Sequence, residues 1–405
     1  MRKPLLLLLI LLMINLTACD AASAALTQTP SPSAPTAAPV TETAKPTDTP
    51  SPTSTPTATP TITPIPTIQL LLFNDDELKA QVDRLAAKFM NQSHNSGLSI
   101  ALAIRNPQID QLQVMFLNYG LTGNEDKQPI TSDTEYEIGS ITKVFTGIML
   151  AQAIEAGTVK LDDPIQNYLP DGIQAPTFKG IPIKIVDLAT HRSGLPRDAQ
   201  SDDPNDLYTY LDSIRLDYAP GSEYVYSNYG YELLGDILAR QAGKDYGELE
   251  FDSVSKPLGL MDTTMSLSAD QQSRLARGHQ YDDSPADYFP QSGAMGPAGY
   301  LHSTLNDMAR FLVANMRPNS TPLSPELKLA QTSAAQGRNP GTGAGLGWDL
   351  VRPDSPQARI WKSGVTPGFS SYISFLRDGS SGFVLLTNGQ YIDNLASDMI
   401  QLLGE

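Results

Sequence analysis

The chain reads as an α+β protein in which one antiparallel sheet is assembled from both ends of the folded region, flanked by helices, with a mostly helical lobe inserted between. Three observations predict this. A helix-periodic segment and two strand-like runs open the region, apolar residues at helical spacing occupy residues 158 to 300 in short segments, and a series of strand-like runs followed by one helix closes it. With 405 residues the chain can bury a substantial core as one large domain or two smaller ones.

The N-terminus stands apart from that region. Met1-Arg2-Lys3-Pro4 is basic, Leu5 to Met13 is apolar, and Leu16-Thr17-Ala18-Cys19 forms a short exit of small residues, which together have the build of a secretory signal too short to span a bilayer comfortably. The Leu-x-Ala-Cys box is similar to that of bacterial lipoproteins, which implies residues 1–19 as a lipoprotein signal and Cys19 as the lipidated residue. Residues 20–67 are almost wholly Ala, Thr, Ser and Pro, with eleven prolines from Pro30 to Pro66. Such a composition is expected to stay disordered as a semi-rigid tether, reaching at most on the order of 150 Å when fully extended. The folded domain is therefore expected over residues 68–405.

Within it, Asn74-Asp75-Asp76 offers a helix cap ahead of Leu78, Val82, Leu85, Ala86 and Phe89. Strands are expected over Gly97 to Ile104 and Gln111 to Asn118, and a helix from Ser140 to Ala156 with Gly157 as its stop. The lobe's helices centre on Ile185 to Ala189, Tyr208 to Ile214 and Tyr229 to Ala242. A helix over Leu305 to Met316 then leads to strands at Gly345 to Val351, Ala358 to Lys362, Ser371 to Leu376 and Ser381 to Thr387, and Ile392 to Leu403 reads as the closing helix.

Composition narrows the chemistry. Cys19 is the sole cysteine, so no intramolecular disulfide and no thiolate cluster is available, and the four histidines, His94, His191, His279 and His302, lack ligand spacing. No metal and no cofactor is expected. The formal charge is -16, and residues 1 to 67 contribute three cations and three anions, so the whole excess lies on residues 68 to 405. An acidic domain of this kind is repelled by nucleic acid and by anionic lipid, which leaves the lipid on Cys19 as the means of membrane attachment. A monomer is expected.

Ser140-Ile141-Thr142-Lys143 supplies the first chemical signal, because a serine and a lysine three apart on one helical face can meet and the amine can take the hydroxyl proton. Roughly one Ser-x-x-Lys is expected by chance in a chain of this length. Ser253-Val254-Ser255-Lys256 is a second, and Pro257 behind it is expected to remove the helix that would hold it in register.

Further motifs follow in order: Tyr226-Ser227-Asn228, flanked by Pro220-Gly221-Ser222 and Tyr229-Gly230-Tyr231-Glu232-Leu233-Leu234-Gly235, and then Lys362-Ser363-Gly364 on a late strand. From about Ile130 to Asn388 the chain thereby resembles the serine β-lactamase and penicillin-binding-protein superfamily, in its class C β-lactamase and D-aminopeptidase/esterase-like branch. Thr190-His191-Arg192-Ser193-Gly194-Leu195-Pro196, Pro257-Leu258-Gly259-Leu260 and Ala298-Gly299-Tyr300-Leu301-His302-Ser303-Thr304 fit the same pattern. The resemblance implies a β-lactamase/DD-peptidase-like fold and an acyl-enzyme hydrolase.

In that reading Ser140 is the nucleophile and Lys143 its base, which requires a lysine pKa displaced by about three units from about 10.4 through burial or a nearby cation. Tyr226 relays protons between the lysines, and Asn228 donates to the substrate amide, a role compatible with capping the helix that follows. Lys362, with Ser363 and Gly364, binds substrate or supplies the second cation. The amides of Ser140 and Val365 are implied as oxyanion donors. His191 is read as structural, and Gly341 to Trp348 as a flexible entry to a strand, since no phosphate-loop lysine closes it. No Gly-x-Ser-x-Gly elbow is present. The implied substrates are β-lactams or D-Ala-type peptidoglycan peptides, with a broad carboxylesterase as the alternative enzyme and a non-catalytic sensor as the alternative of another class.

Overall fold

The computed structural model describes residues 68–404, apart from 93–96, 124–126, 283 and 290–292. The signal, Cys19 and the tether lie outside the described residues, as does His94. The principal sheet has nine strands in the order Leu71–Leu72, Gln111–Gly120, Gly97–Asn106, Ser381–Thr387, Ser370–Leu376, Arg359–Val365, Asp349–Val351, Thr342–Ala344 and Ala335–Gln336. All pairings are antiparallel except that of Leu71–Leu72 with Gln111–Gly120. The first and last parts of the folded region meet at the centre, where Gly97–Asn106 pairs with Ser381–Thr387. This is the α+β architecture expected from the sequence.

Period-two alternation distributes the core to both faces. Leu98, Ile100, Leu102 and Leu385 pack with Val82 and Phe89 of helix α1 (Asp76–Gln92) and with Leu395 and Met399 of the closing helix Ile392–Leu403. Ala101, Ala103, Val384 and Leu386 face the other way, onto the larger core that holds helix α2 (Thr142–Glu155) and the helix Leu305–Met316. Helix α2 is buried on every side from Thr142 to Ala151, with Phe145 stacked on Phe311 at 4.4 Å. The lobe contributes α3 (Ile185–Ala189), α4 (Leu207–Ser213) and α5 (Asn228–Ala242). A two-stranded ribbon, Glu135–Glu137 with His302–Thr304, fastens the lobe's exit beside the start of α2. Among the described residues no helix is long and apolar enough to cross a membrane.

Four expectations need correction. Ser140 lies in a 3₁₀ turn, Gly139–Ile141, and the α-helix starts only at Thr142, because Gly139 takes φ +51° and the Ile141 amide donates back to Ile138 O. The segment Gly345 to Val351 is strand only from Asp349, since Gly347 at φ +86° breaks the extended run. Nor is Gly341 to Trp348 a loose entry: Thr342–Ala344 is a strand, and the Gly347 position is pressed so close to α2 that a Cβ there would sit 2.4 Å from Lys143 O. Finally, Ser253 to Lys256 is helical despite Pro257, with Lys256 at φ -62°, ψ -48°. The proline only disfavours that geometry; what separates this pair from Ser140 and Lys143 is that Lys256 is exposed and turned to Asp252 at 3.6 Å.

Candidate active site

Two glycines bring the start of α2 against the late strand. A Cβ on Gly364 would lie 2.0 Å from Ile138 O, and one on Gly139 would lie 2.7 Å from Val365 N, so only hydrogen fits at either position. The Ser371 hydroxyl clamps the junction by donating to Ile138 O at 2.8 Å. The Thr366 amide donates to Phe369 O at 3.0 Å, and antiparallel alternation turns the next amide, that of Val365, to the opposite edge, beside the 3₁₀ turn. The amides of Ser140 and Val365 therefore stand on either side of one small space, the Ser140 amide 2.9 Å from where a Gly364 Cβ would be.

Ser140 Oγ is 2.6 Å from the Tyr226 hydroxyl and 3.2 Å from Lys143 Nζ. Lys143 is wholly buried, and its amine donates to Asn228 Oδ1 at 2.7 Å and to the Ala298 carbonyl at 2.6 Å. Asn228 is held by donating to Asp198 at 2.6 Å. The cap of α5 is Ser227, whose hydroxyl accepts from Gly230 N at 2.9 Å, so Asn228 is the first helical residue and not the capping one. Lys362 Nζ pairs with Asp349 Oδ2 at 3.0 Å across the neighbouring strand.

Three cations surround the Tyr226 ring: Lys143 Nζ at 5.0 Å, Lys362 Nζ at 5.5 Å and the Arg197 guanidinium at 5.1 Å from its centroid. Burial alone would raise the Tyr226 pKa, but the two lysine charges and the hydrogen bonds to Lys143 and Ser140 outweigh it and bring the phenol down to about 8. The Lys143 pKa is lowered by burial first and further by the Lys362 charge, against the opposing pull of Tyr226. Burial likewise disfavours the charge on Lys362, yet Asp349 and the Tyr226 and Tyr224 hydroxyls more than offset it and raise its pKa. His191 packs its ring 4.2 Å from that of Tyr226 and accepts from Ser227 N at 3.1 Å, and burial with the nearby Lys362, Lys143 and Arg338 charges holds its pKa well below the usual range. It is a neutral prop.

A cavity of about 480 Å³ opens here, lined by Ser140, Tyr226, Asn228, Lys362, Ser363 and Val365. The three motifs, spread over more than two hundred residues of sequence from Ser140 to Lys362, thus meet at one place, and Lys143 lies beneath its floor. Sequence reasoning missed Asp349, which the strand register Asp349↔Trp361 sets beside Lys362, and the Ala298 carbonyl, a main-chain acceptor that no side-chain motif can reveal. It also missed Arg338 and Arg359, which line the same cavity and pair with no carboxylate among the described residues.

The model of the family described as β-lactamase matches residues 82–403. The chain belongs to the β-lactamase family. As such it is a serine hydrolase of the β-lactamase-related class. It is 33% identical over 331 residues to the D-alanyl-D-alanine-carboxypeptidase/endopeptidase AmpH of Escherichia coli, covering 76% of this chain and 83% of that one. A β-lactamase of Pseudomonas fluorescens is 27% identical over 349 residues, covering 78% of this chain and 94% of that one. Among solved structures, a β-lactamase/D-alanine carboxypeptidase from Pseudomonas syringae superposes with a TM-score of 0.73 at 25% identity, over 81% of this family member and 99% of the other chain. The D-alanine carboxypeptidase AmpC of Burkholderia cenocepacia gives 0.72 at 26% identity, over 82% and 99%.

Proposed function

We propose that this enzyme opens the amide of a β-lactam or of a D-Ala-type peptidoglycan peptide by acylation of Ser140 and then hydrolyses the ester. The observation that carries the reading is the contact of Ser140 Oγ with both Tyr226 OH at 2.6 Å and Lys143 Nζ at 3.2 Å at the edge of an open cavity. Lys143, its pKa lowered by burial, takes the Ser140 proton as Oγ bonds to the carbonyl carbon. The negative oxygen that forms is met by the amides of Ser140 and Val365, donors already in place and each worth about a hundredfold or more. When the C–N bond breaks, the proton passes from Lys143 through the Tyr226 hydroxyl to the leaving nitrogen. In deacylation the same pair removes a proton from water, the ester C–O bond breaks and Oγ is reprotonated.

Asn228, fixed between Lys143 and Asp198, supports the substrate amide, while Ser363 and Gly364 form the strand edge along which it lies. Lys362 serves mainly as the cation that tunes Tyr226 and Lys143, because Asp349 already answers its charge. Arg338 and Arg359, which pair with no carboxylate among the described residues, give the cavity the positive charge that a substrate carboxylate needs, which favours these substrates over neutral esters. Residues 1–19 export the chain, Cys19 carries the lipid that anchors it outside the cytoplasm, residues 20–67 space the catalytic domain from the bilayer, and the enzyme acts as a monomer without metal, cofactor or nucleic acid.

Two measurements test this. Incubation with a fluorescent penicillin, with an acyl-D-Ala-D-Ala peptide and with an activated ester should give turnover of the first or second, and preference for the ester would favour the carboxylesterase alternative. A penicillin adduct that never turns over would favour a sensor. Cys19→Ala should abolish lipid labelling and membrane partition; continued labelling would contradict the anchor.

A further inference from the structure

A second cavity, of about 500 Å³, runs along α5 with apolar walls from Leu207, Ala239, Tyr246, Met265, Ala294 and Pro297. Glu232 enters it from α5, one turn beyond Asn228. That side chain is 2% exposed, and its Oε2 has no hydrogen-bond partner among the described residues. The other charged groups of the cavity are answered. Asp236 accepts from the Tyr208 hydroxyl and faces Arg240 at 4.0 Å, Lys244 is engaged by Asp252 and by Glu248 at 3.7 Å, and Asp245 accepts from Glu248 N. Among the described residues, one buried carboxyl oxygen in this cavity is thus left without the partner its burial demands.

We propose that this cavity is a second ligand site, which takes a compact primary amine with an apolar body, its ammonium paired with Glu232 and its hydrocarbon part against Leu207, Met265 and Pro297. A buried carboxylate without a cation is costly, an ammonium group supplies both the charge and the donors, and the walls reward the removal of hydrocarbon from water. An anion is excluded by Glu232 together with its neighbours Asp198 and Asp202.

The site is connected to Lys143. The carbonyl of Pro297 accepts from Thr146 at 2.8 Å, the Tyr246 hydroxyl is 2.8 Å from the same Thr146 oxygen, and the next carbonyl, that of Ala298, holds the Lys143 amine. The charges that reach Glu232 are Asp202 and Asp198 from the loop before α4 and Lys143 from α2, and Asp236 and Arg240 of its own helix line the same cavity. Burial first, then Asp202, raises the Glu232 pKa to about 7, and its negative charge in turn helps keep the proton on Lys143. A bound ammonium removes that pull, so Lys143 becomes an active base at lower pH. This second step rests on the reading of Ser140 and Lys143 as nucleophile and base.

Calorimetric titration of the full-length protein at pH 8 with 2-phenylethylamine and with 2-phenylethanol tests the site. The amine should saturate at one per chain, the alcohol should bind at least about tenfold more weakly, and Glu232→Gln should lose at least about tenfold for the amine. Ala239→Phe, which fills the cavity, should lose binding as well; Glu232→Gln is nearly isosteric and keeps the test valid should the larger residue unfold the lobe. Equal binding of the two probes, undiminished amine binding by Glu232→Gln, or no saturable binding would overturn the site. With amine bound, the rising limb of acylation against pH should move to lower pH, and an unmoved limb would overturn the coupling. Loss of acylation at Ser140 altogether would sink the hydrolase reading instead and leave the calorimetry as it stands.

Discussion

At the scale of single residues the chemistry proposed above turns on how one proton is shared among Ser140, Lys143 and Tyr226. Tyr226→Phe keeps the ring among its three cations but removes the hydroxyl 2.6 Å from Ser140 Oγ. It should lower turnover by about a hundredfold to ten-thousandfold, as expected for loss of a general acid/base, with little change in melting temperature. Single-turnover kinetics check this, and a loss under threefold would assign the relay elsewhere. The three motif side chains were legible in the sequence because each carries chemistry in its own identity. Asp349 was not, since an aspartate after a tryptophan signals nothing until the register sets it beside Lys362. The Ala298 carbonyl had no signal of any kind.

At the scale of elements, the junction of the 3₁₀ turn with the strand Arg359–Val365 sets the distance between the amides of Ser140 and Val365, the proposed oxyanion donors. Gly364→Ala places a Cβ 2.0 Å from Ile138 O and 2.5 Å from Ser371 Oγ, so turn and strand must separate. Acylation should fall by at least about a hundredfold, for a stability cost of about 1–3 kcal/mol. Stopped-flow acylation with a thermal melt as control measures both, and an acylation rate within threefold of the parent would mean that the junction does not position the donors. The helices Leu305–Met316 and Ile392–Leu403 were legible to the residue from their periodicity. The glycines of residues 341–348 misled, because glycine signals looseness and close approach alike: Gly347 abuts Lys143 O, while a Cβ on Gly147 would lie 2.1 Å from Leu346 O. Pro257 misled for the opposite reason, its local preference being overridden by the packed helical run around it.

At the scale of the whole molecule, the described domain buries acids whose pKa values are raised. Burial is the largest cause in each case, raising Glu135 to about 9, Glu250 to about 8, Glu232 to about 7 and Asp307 to about 6. In the unfolded chain these groups release their protons at about pH 4, so between that value and about 9 the unfolded state binds fewer protons and stability falls as pH rises. The lowered carboxyls, such as Asp83 and Asp252, are half-buried and act only in the acid range. The melting temperature should therefore drop by at least about 5 °C from pH 6 to pH 9. A flat or rising profile would show that these carboxyls are ionised in the fold. The catalytic account meets its most direct test in the intact mass of the whole chain after brief exposure to a penicillin, followed by peptide mapping. The expected result is a single acyl adduct on Ser140, absent from Ser140→Ala and slowed by at least about a hundredfold in Lys143→Ala. An adduct on another residue, or an undiminished rate without the Lys143 amine, would contradict it.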